Sequence, residues 1–272
     1  MCYDNTTPLI SVIMGVYNIA GLPTFYESVN SILQQTEKNF EFIICDDGSQ
    51  DETWSTICQF AKLDHRIRLL RHTHNLGLAA ALNTCLSHAR GKFIARQDAD
   101  DLSMPDRLHQ QIVFLKTHPD IGFVGSNITL YDHHGIWGER VFPEYPQPKD
   151  FLFTMPFVHG VLMFRREILT NVNGYHTSWQ TRRAEDYDLL MQLYAIGIRG
   201  VNLPAHLYSF LEDQAALKRR KYRYRFGEVS VRWNGFRKLH LFPIALPYVI
   251  KPLVVGLIPH RILVVLKKTR PY

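Results

Sequence analysis

The sequence predicts an α/β fold: a mostly parallel sheet flanked by helices, followed by a helical tail that is both basic and apolar. Three observations carry this. Apolar, β-branched runs alternate with amphipathic segments at strand–helix–strand spacing through the first hundred residues. Two of those runs end in aspartate clusters, Asp46-Asp47 and Asp98-Ala99-Asp100-Asp101. The charge is also split. Residues 215–272 hold 14 Lys plus Arg against one acid, Glu228, while residues 1–214 hold 17 basic and 24 acidic residues. The formal net charge of +6 therefore divides into a body of −7 and a tail of +13, which marks two surfaces for different partners.

The elements follow in order. Residues 9–17, LISVIMGVY, are apolar on both faces, the pattern of a buried parallel strand. Residues 22–35 predict a helix with Leu22, Phe25, Val29, Ile32 and Leu33 on one face. FEFIIC (40–45) is a second strand and runs into the turn Asp46-Asp47-Gly48-Ser49. A helix over 51–63 and a short strand over 67–70 come next. Residues 76–89 form a helix with Leu78, Leu82, Cys85 and Leu86 inward, and KFIAR (92–96) is a fourth strand. Strands in such units lie parallel, and ligands bind beyond their carboxyl ends. Both aspartate clusters therefore belong on one rim. Beyond residue 104 the pattern is less regular. Met104-Pro105-Asp106-Arg107 opens a helix, residues 121–130 and 158–164 read as strands, and 132–150, rich in Pro, Gly and His, reads as a loop. EDYDLLMQLYAI (185–196) is a helix with its acids in the first turn, where the dipole favours them.

With 272 residues, 46% of them hydrophobic, the chain suits one large domain or a domain with an appendage, and disorder is excluded. Cys2, Cys45, Cys58 and Cys85 form no CxxC pair, so neither a disulfide scaffold nor a zinc site is expected. Residues 1–8, MCYDNTTP, lack the basic and apolar regions of an export signal, so the amino-terminal body is expected to stay in the cytoplasm. No GxGxxG follows the first strand, and no GxxxxGK[ST], GxSxG or HExxH is present. Dinucleotide-dependent dehydrogenases, P-loop NTPases, α/β-hydrolases and zincins are thereby disfavoured.

The acidic clusters each support two readings. Asp98 and Asp100 can hold a hard divalent cation that neutralises a diphosphate, or they can form a polar turn and cap the next helix. Asp47 can hydrogen-bond a nucleobase or ribose, or simply complete a turn. Glu185-Asp186 can supply a general base, or can complement a helix dipole.

SVIMGVYN (11–18), FEFIICDDGSQDET (40–53), NLGLAAALN (75–83), GKFIARQDADD (91–101) and AEDYDLLMQL (184–193) occur in order. Together they resemble a family 2 glycosyltransferase of the GT-A fold, with a Rossmann-like central sheet, over about residues 9–210. The style is closest to bacterial exopolysaccharide and O-antigen transferases. The resemblance implies an inverting, metal-dependent enzyme that takes a sugar from a nucleotide-diphosphate donor, often UDP-linked, with Mg2+ or Mn2+. By that resemblance Gly15, Tyr17 and Asn18 line the nucleotide pocket and Asp47 contacts the base. Asp98 and Ala99 face the nucleotide sugar, and Asp100, with Asp98, holds the metal, Asp100 by direct contact and Asp98 through the ribose or a metal-bound water. Asp186 is the catalytic base, and Glu185 positions it or the acceptor. Residues 1–101 would be the nucleotide-binding half and 102–211 the acceptor-binding half.

Two departures stand out. His159-Gly160 replaces a frequent His-Pro, so His159 is either an acceptor or diphosphate contact or an ordinary half-buried histidine. Tyr208 is followed by Ser209-Phe210-Leu211 rather than by arginine, leaving Arg219, Arg220 or Arg223 as candidates to grip the diphosphate. In the tail, KRRKYRYR (218–225) interleaves cations with aromatics. Tyr222, Phe226, Val229, Trp233 and Phe236 then recur as one apolar helix face. Residues 241–266 are apolar but broken by Pro243, Pro247, Pro252 and Pro259, which disfavours a single spanning helix. Residues 212–272 are expected to associate peripherally with the anionic inner face of the cell membrane, where a polyprenyl-diphosphate-linked saccharide acceptor would reside. A helix packed on the body is the competing reading, and no motif supports nucleic-acid binding. The competing functions are a non-catalytic nucleotide-sugar or membrane-binding module and a metal-dependent nucleotidyltransferase.

Overall fold

The computed structural model describes residues 7–212 and 222–257. Strands β1 (Ile10–Val16), β2 (Phe40–Asp46), β3 (Ile67–Arg71) and β4 (Phe93–Arg96) alternate with helices α1 (Pro23–Leu33), α2 (Thr53–Leu63) and α3 (Leu78–His88). All pair in parallel, in the order β3-β2-β1-β4. Then come β5 (Leu102–Ser103), α4 (Arg107–Thr117), β6 (Phe123–Asp132), β7 (Gly135–Arg140), β8 (Met163–Arg165), α5 (Arg166–Asn171), α6 (Glu185–Ala195) and β9 (Gly200–Leu211). The sheet continues from β4 through β8, β6 and β9 to β5, with β7 paired to β6.

Along β1 the side chains alternate between two cores, as strand geometry requires. Val12, Met14 and Val16 pack with α1, α2 and α4, whereas Ile13 packs with α3 and α6. Helices thus cover both faces, as expected. The expectation of a mostly parallel sheet needs correction, because the sheet is mixed. β8 is antiparallel to both β4 and β6, β5 is antiparallel to β9, and β7 to β6, while β6 and β9 are parallel. The chain re-enters beside β4 through the short β8 instead of a helical crossover, and that reverses the direction of pairing.

Three elements differ from the sequence reading. Of the strand expected over 158–164 only Met163–Arg165 forms, because His159–Val161 winds into a short 3-10 helix just before it. The segment 132–150 contains β7, closed onto β6 by a turn. There Gly135 adopts φ +114° and Asp132 Oδ1 accepts from His134 N. Strand β9 carries Pro204 at mid-length, which disguises it. Its register to β6 jumps from Ser126↔Leu203 to Asn127↔His206, so Pro204 sits in a bulge where its missing N–H costs no ladder bond.

The described part of the tail forms α7 (Tyr224–Lys238) and α8 (Leu246–Leu257). Val231, Phe236, Ala245 and Val249 join the same buried cluster as Tyr187 and Leu190 of α6. α7 approaches closely at two glycines. A Cβ on Gly227 would stand 2.5 Å from Gln180 O, and one on Gly235 would stand 2.4 Å from Met191 Cε. Arg232 is buried, paired to Glu228, and lies over the Tyr187 ring at 5.0 Å. The expected apolar face is only partly the packed one: Phe236 is buried, but Tyr222, Phe226 and Trp233 stay exposed. Backbone approach at the glycines, rather than aromatic spacing, selects the face. Among the described residues no helix is long and apolar enough to cross a membrane.

Candidate active site

Because β1, β2 and β4 are parallel neighbours, Tyr17-Asn18, Asp47 and Asp98 emerge on one rim. Asn18 holds a left-handed turn (φ +50°). Its N–H donates to Ser49 Oγ (2.9 Å), and its Oδ1 accepts from Gln50 N (3.0 Å). Tyr17 is exposed beside it. Gly15 is set one residue back, inside the strand. A Cβ there would meet Leu78 Cδ1 at 3.0 Å and Ala81 Cβ at 3.1 Å, so this glycine lets α3 cross β1.

Asp47 is buried and engaged by the chain itself. Oδ1 accepts from Leu76 N (2.9 Å) and pairs with His72 Nδ1 (2.8 Å), and Oδ2 accepts from Gly77 N (2.8 Å). His72 Nε2 in turn meets Thr84 Oγ1 at 2.8 Å. Asp47 and His72 thereby bolt the entry to α3 onto the end of β2.

The β4 end is built around Arg96, whose side chain is 1% exposed. Its guanidinium lies 2.6 Å from Asp98 Oδ1 and donates to the Gln97 carbonyl. Ala99 packs inward against the core under α1, so Asp98 and Asp100 flank it on the rim. Asp100 is exposed, and its carbonyl accepts from Tyr131 Oη (2.6 Å). Asp101 turns inward, where burial, and then Asp98 and Asp100, push its carboxyl well up. Its Oδ1 accepts from Leu211 N. Among the described residues, no group of three His, Cys, Asp or Glu side chains is arranged to hold an ion. Two alternating carboxylates nonetheless suit Mg2+ or Mn2+, which take one or two carboxylates and complete their shell with water and phosphate oxygens. The donor set therefore fits an ion that is held jointly with a diphosphate.

Glu185 and Asp186 open α6. Arg183, just before them, is held at φ +72°. Desolvation first, then Glu185 and Asp98, push Asp186 up to about 7, although Tyr187 N donates to its Oδ1. Glu185 is also raised by burial, opposed by backbone hydrogen bonds and then by the charges of Arg183 and Arg96. The two acidic ends are thus brought into one electrostatic neighbourhood, with Arg96 in it.

His159 is buried, and its Nε2 meets Tyr175 Oη at 2.8 Å. Burial and then the Arg96 charge push it well below the usual histidine range, so it is neutral. Gly160 explains the departure from proline: even a Cβ there would stand 2.4 Å from Tyr208 Oη and 2.6 Å from Asp98 Oδ2. Arg219 and Arg220 lie outside the described residues. The sequence reading gave no role to Arg96, His72 or Asp101, and named Tyr208 only as the tyrosine that no arginine follows. The available signal was an arginine closing an apolar strand, in KFIAR.

The Glycosyl transferase family 2 model matches residues 11–172, and the Glycosyl transferase family group 2 model matches residues 93–271. The glycosyltransferase-named EpsE of Bacillus subtilis is 40% identical over 260 residues, covering 95% of this chain and 93% of its own. Escherichia coli WfgD, named a UDP-Glc:alpha-D-GlcNAc-diphosphoundecaprenol beta-1,3-glucosyltransferase, is 37% identical over 50% of this chain and 52% of its own. Among solved structures, the Pyrobaculum calidifontis mannosyltransferase PcManGT with GDP-Man and Mn2+ matches at TM-score 0.62 and 25% identity, over 97% of this chain and 81% of that one. S. aureus TarS with UDP-GlcNAc matches at TM-score 0.71 and 17% identity, over 89% and 72%, a likeness of fold.

Proposed function

The chain belongs to glycosyl transferase family 2, and we propose that it transfers a sugar, with inversion, from a nucleotide-diphosphate donor to a saccharide hydroxyl in surface polysaccharide biosynthesis. One observation carries the reading: Asp186, half-buried at the start of α6, is pushed up to about 7 by desolvation, then by Glu185 and, more weakly, by Asp98 at the end of β4. A carboxylate poised there takes the proton of an attacking hydroxyl efficiently near neutral pH. A single displacement inverts the anomeric carbon, so an α-linked donor yields a β-linkage. Glu185, beside the base, raises its affinity for the proton and lines the acceptor side.

A bound Mg2+ or Mn2+ supplies positive charge against the departing diphosphate. Asp100 and Asp98 are the residues to hold it. Tyr17, Asn18 and the 48–50 turn line the nucleotide side, and a base contact from Asp47 rests on the Oδ2 acceptor position that the turn leaves over. Residues 1–101 form the donor half and 102–211 the acceptor half. WfgD's name supports a UDP-sugar and a polyprenyl-diphosphate-linked acceptor. The segment 224–257 exposes Trp233, Ile244, Ile250, Val254 and Leu257 together with Arg237 and Lys238, a composition suited to peripheral contact with an anionic inner membrane face.

The deciding experiment is Asp186→Asn, assayed for transfer and for donor binding by thermal shift. Transfer should fall by roughly 10²–10⁴-fold while nucleotide-dependent stabilisation persists. Near-wild-type turnover would remove Asp186 from the base role.

A further inference from the structure

We propose that Arg96 is a positioning residue: an internal cation that fixes the Asp98 carboxylate in one orientation, so that a single oxygen is offered to the donor complex. The inference rests on the metal-and-nucleotide reading above and concerns how that site is built.

Arg96 closes β4 among side chains that are fully buried, and its own is 1% exposed. A guanidinium does not deprotonate in a protein, so this is a permanent charge in the core. Removing its counter-charge would leave it buried and uncompensated, which is strongly destabilising. The carboxylate that meets it is Asp98, through Oδ1 at 2.6 Å. The Asp98 backbone is pinned independently. Its N–H donates to Tyr208 Oη (3.1 Å), and its carbonyl accepts from Ser28 Oγ (2.7 Å) and Gln97 Nε2 (3.1 Å). With the backbone fixed and Oδ1 taken, the carboxylate has one orientation.

Oδ2 is the oxygen that remains. It faces Gly160, where a Cβ would stand 2.6 Å away, so the absence of a side chain there gives Oδ2 its room. The Asp98 side chain keeps 28% exposure. Asp98 therefore cannot grip an ion with both oxygens. Its Oδ2 is the oxygen left for the ribose hydroxyl or ion-bound water that the family resemblance assigns to Asp98, with exposed Asp100 as the direct ligand. Lysine would not serve in place of Arg96. The planar fork reaches the Gln97 carbonyl and Asp98 Oδ1 together, whereas an ammonium is a single point charge on a shorter set of donors.

The test is a Mn2+ titration by electron paramagnetic resonance in the presence of UDP or GDP, using whichever the full-length wild type binds more tightly. Melting temperatures are read in parallel without nucleotide. Asp100→Asn should abolish the ternary complex. A wild type that forms none with either nucleotide refutes the donor reading itself. Arg96→Lys should fold and weaken the Mn2+–nucleotide complex by roughly 10- to 100-fold, the usual effect of disturbing the groups that surround a metal's direct ligands. Unchanged affinity in Arg96→Lys overturns the proposal. If Arg96→Lys does not fold, Asp98→Asn decides. It must then lower the nucleotide-free melting temperature well beyond Asp100→Asn, and adding Arg96→Met to it must restore the loss. Equal losses in Asp98→Asn and Asp100→Asn, or no restoration, overturn the pairing.

Discussion

At the scale of single residues, Asp186 has a definite pH signature. Its carboxyl must be ionised to accept a proton, so turnover should rise with pH through about 7 and level off above it. Stability should run the other way. The folded value is raised above the ordinary 3.8, so the native state holds this proton more tightly than the unfolded chain does. The stabilisation is therefore present at low pH and is lost as pH rises from about 4 to about 7. Without nucleotide or metal, Asp186→Asn should melt higher than wild type at pH 8, with the gain shrinking towards pH 4. A variant that melts lower at pH 8 would show that Asp186 is a structural partner instead. The candidate carboxylates were legible from sequence because the motifs that carry them occur in order; singly, each also reads as a turn, a helix cap or a helix-dipole acid. Arg96 and Tyr208 were not. An arginine or tyrosine in a strand reads as solvent-facing until the neighbouring strand shows what covers it.

Among the elements, α7 separates propensity from packing. Glycine is a poor helix former, and alanine at an exposed helix position gains up to about 1 kcal/mol. At Gly227 the added Cβ would meet the Gln180 backbone at 2.5 Å, which cannot move aside cheaply. At Gly235 it would meet the end of the Met191 side chain, which is flexible. Urea denaturation should thus show Gly227→Ala destabilised by about 1–3 kcal/mol and Gly235→Ala much less affected. Equal effects would mean that α7 does not sit on the 180 loop as described. The sequence periodicity of α7 pointed to its aromatics, because spacing reports amphipathicity but not which face meets a partner. Likewise β9 was hidden by Pro204 and β7 by turn-forming residues. In both, a local breaker coincides with a bulge or tight turn that the pairing tolerates.

For the whole molecule, the charge division is the feature that reaches furthest. The described part of the tail packs on the catalytic body, yet it leaves Trp233, Ile244, Ile250, Val254 and Leu257 outward. Packing and membrane contact are therefore compatible. The full chain should float with vesicles rich in anionic lipid at low salt and release as salt rises. Ile244→Glu with Ile250→Glu, both exposed positions, should abolish flotation while melting temperature and donor binding are kept. A wild type that stays in solution at low salt would count against peripheral association.

What the sequence by itself determined is the strand–helix alternation of the first hundred residues, the rim on which the acids emerge and the family. Each depends on contiguous residues: period-two and period-3.6 patterning, and short motifs in order. The direction of β8, the bulged partnership of β6 with β9, the pairing of buried Arg96 with Asp98, and the face that α7 buries were decided only by the tertiary structure. These depend on which distant segments meet. A charge or a glycine acquires its meaning from the atoms packed against it, and those atoms lie many residues away: Gln180 for Gly227, Gly160 for Asp98.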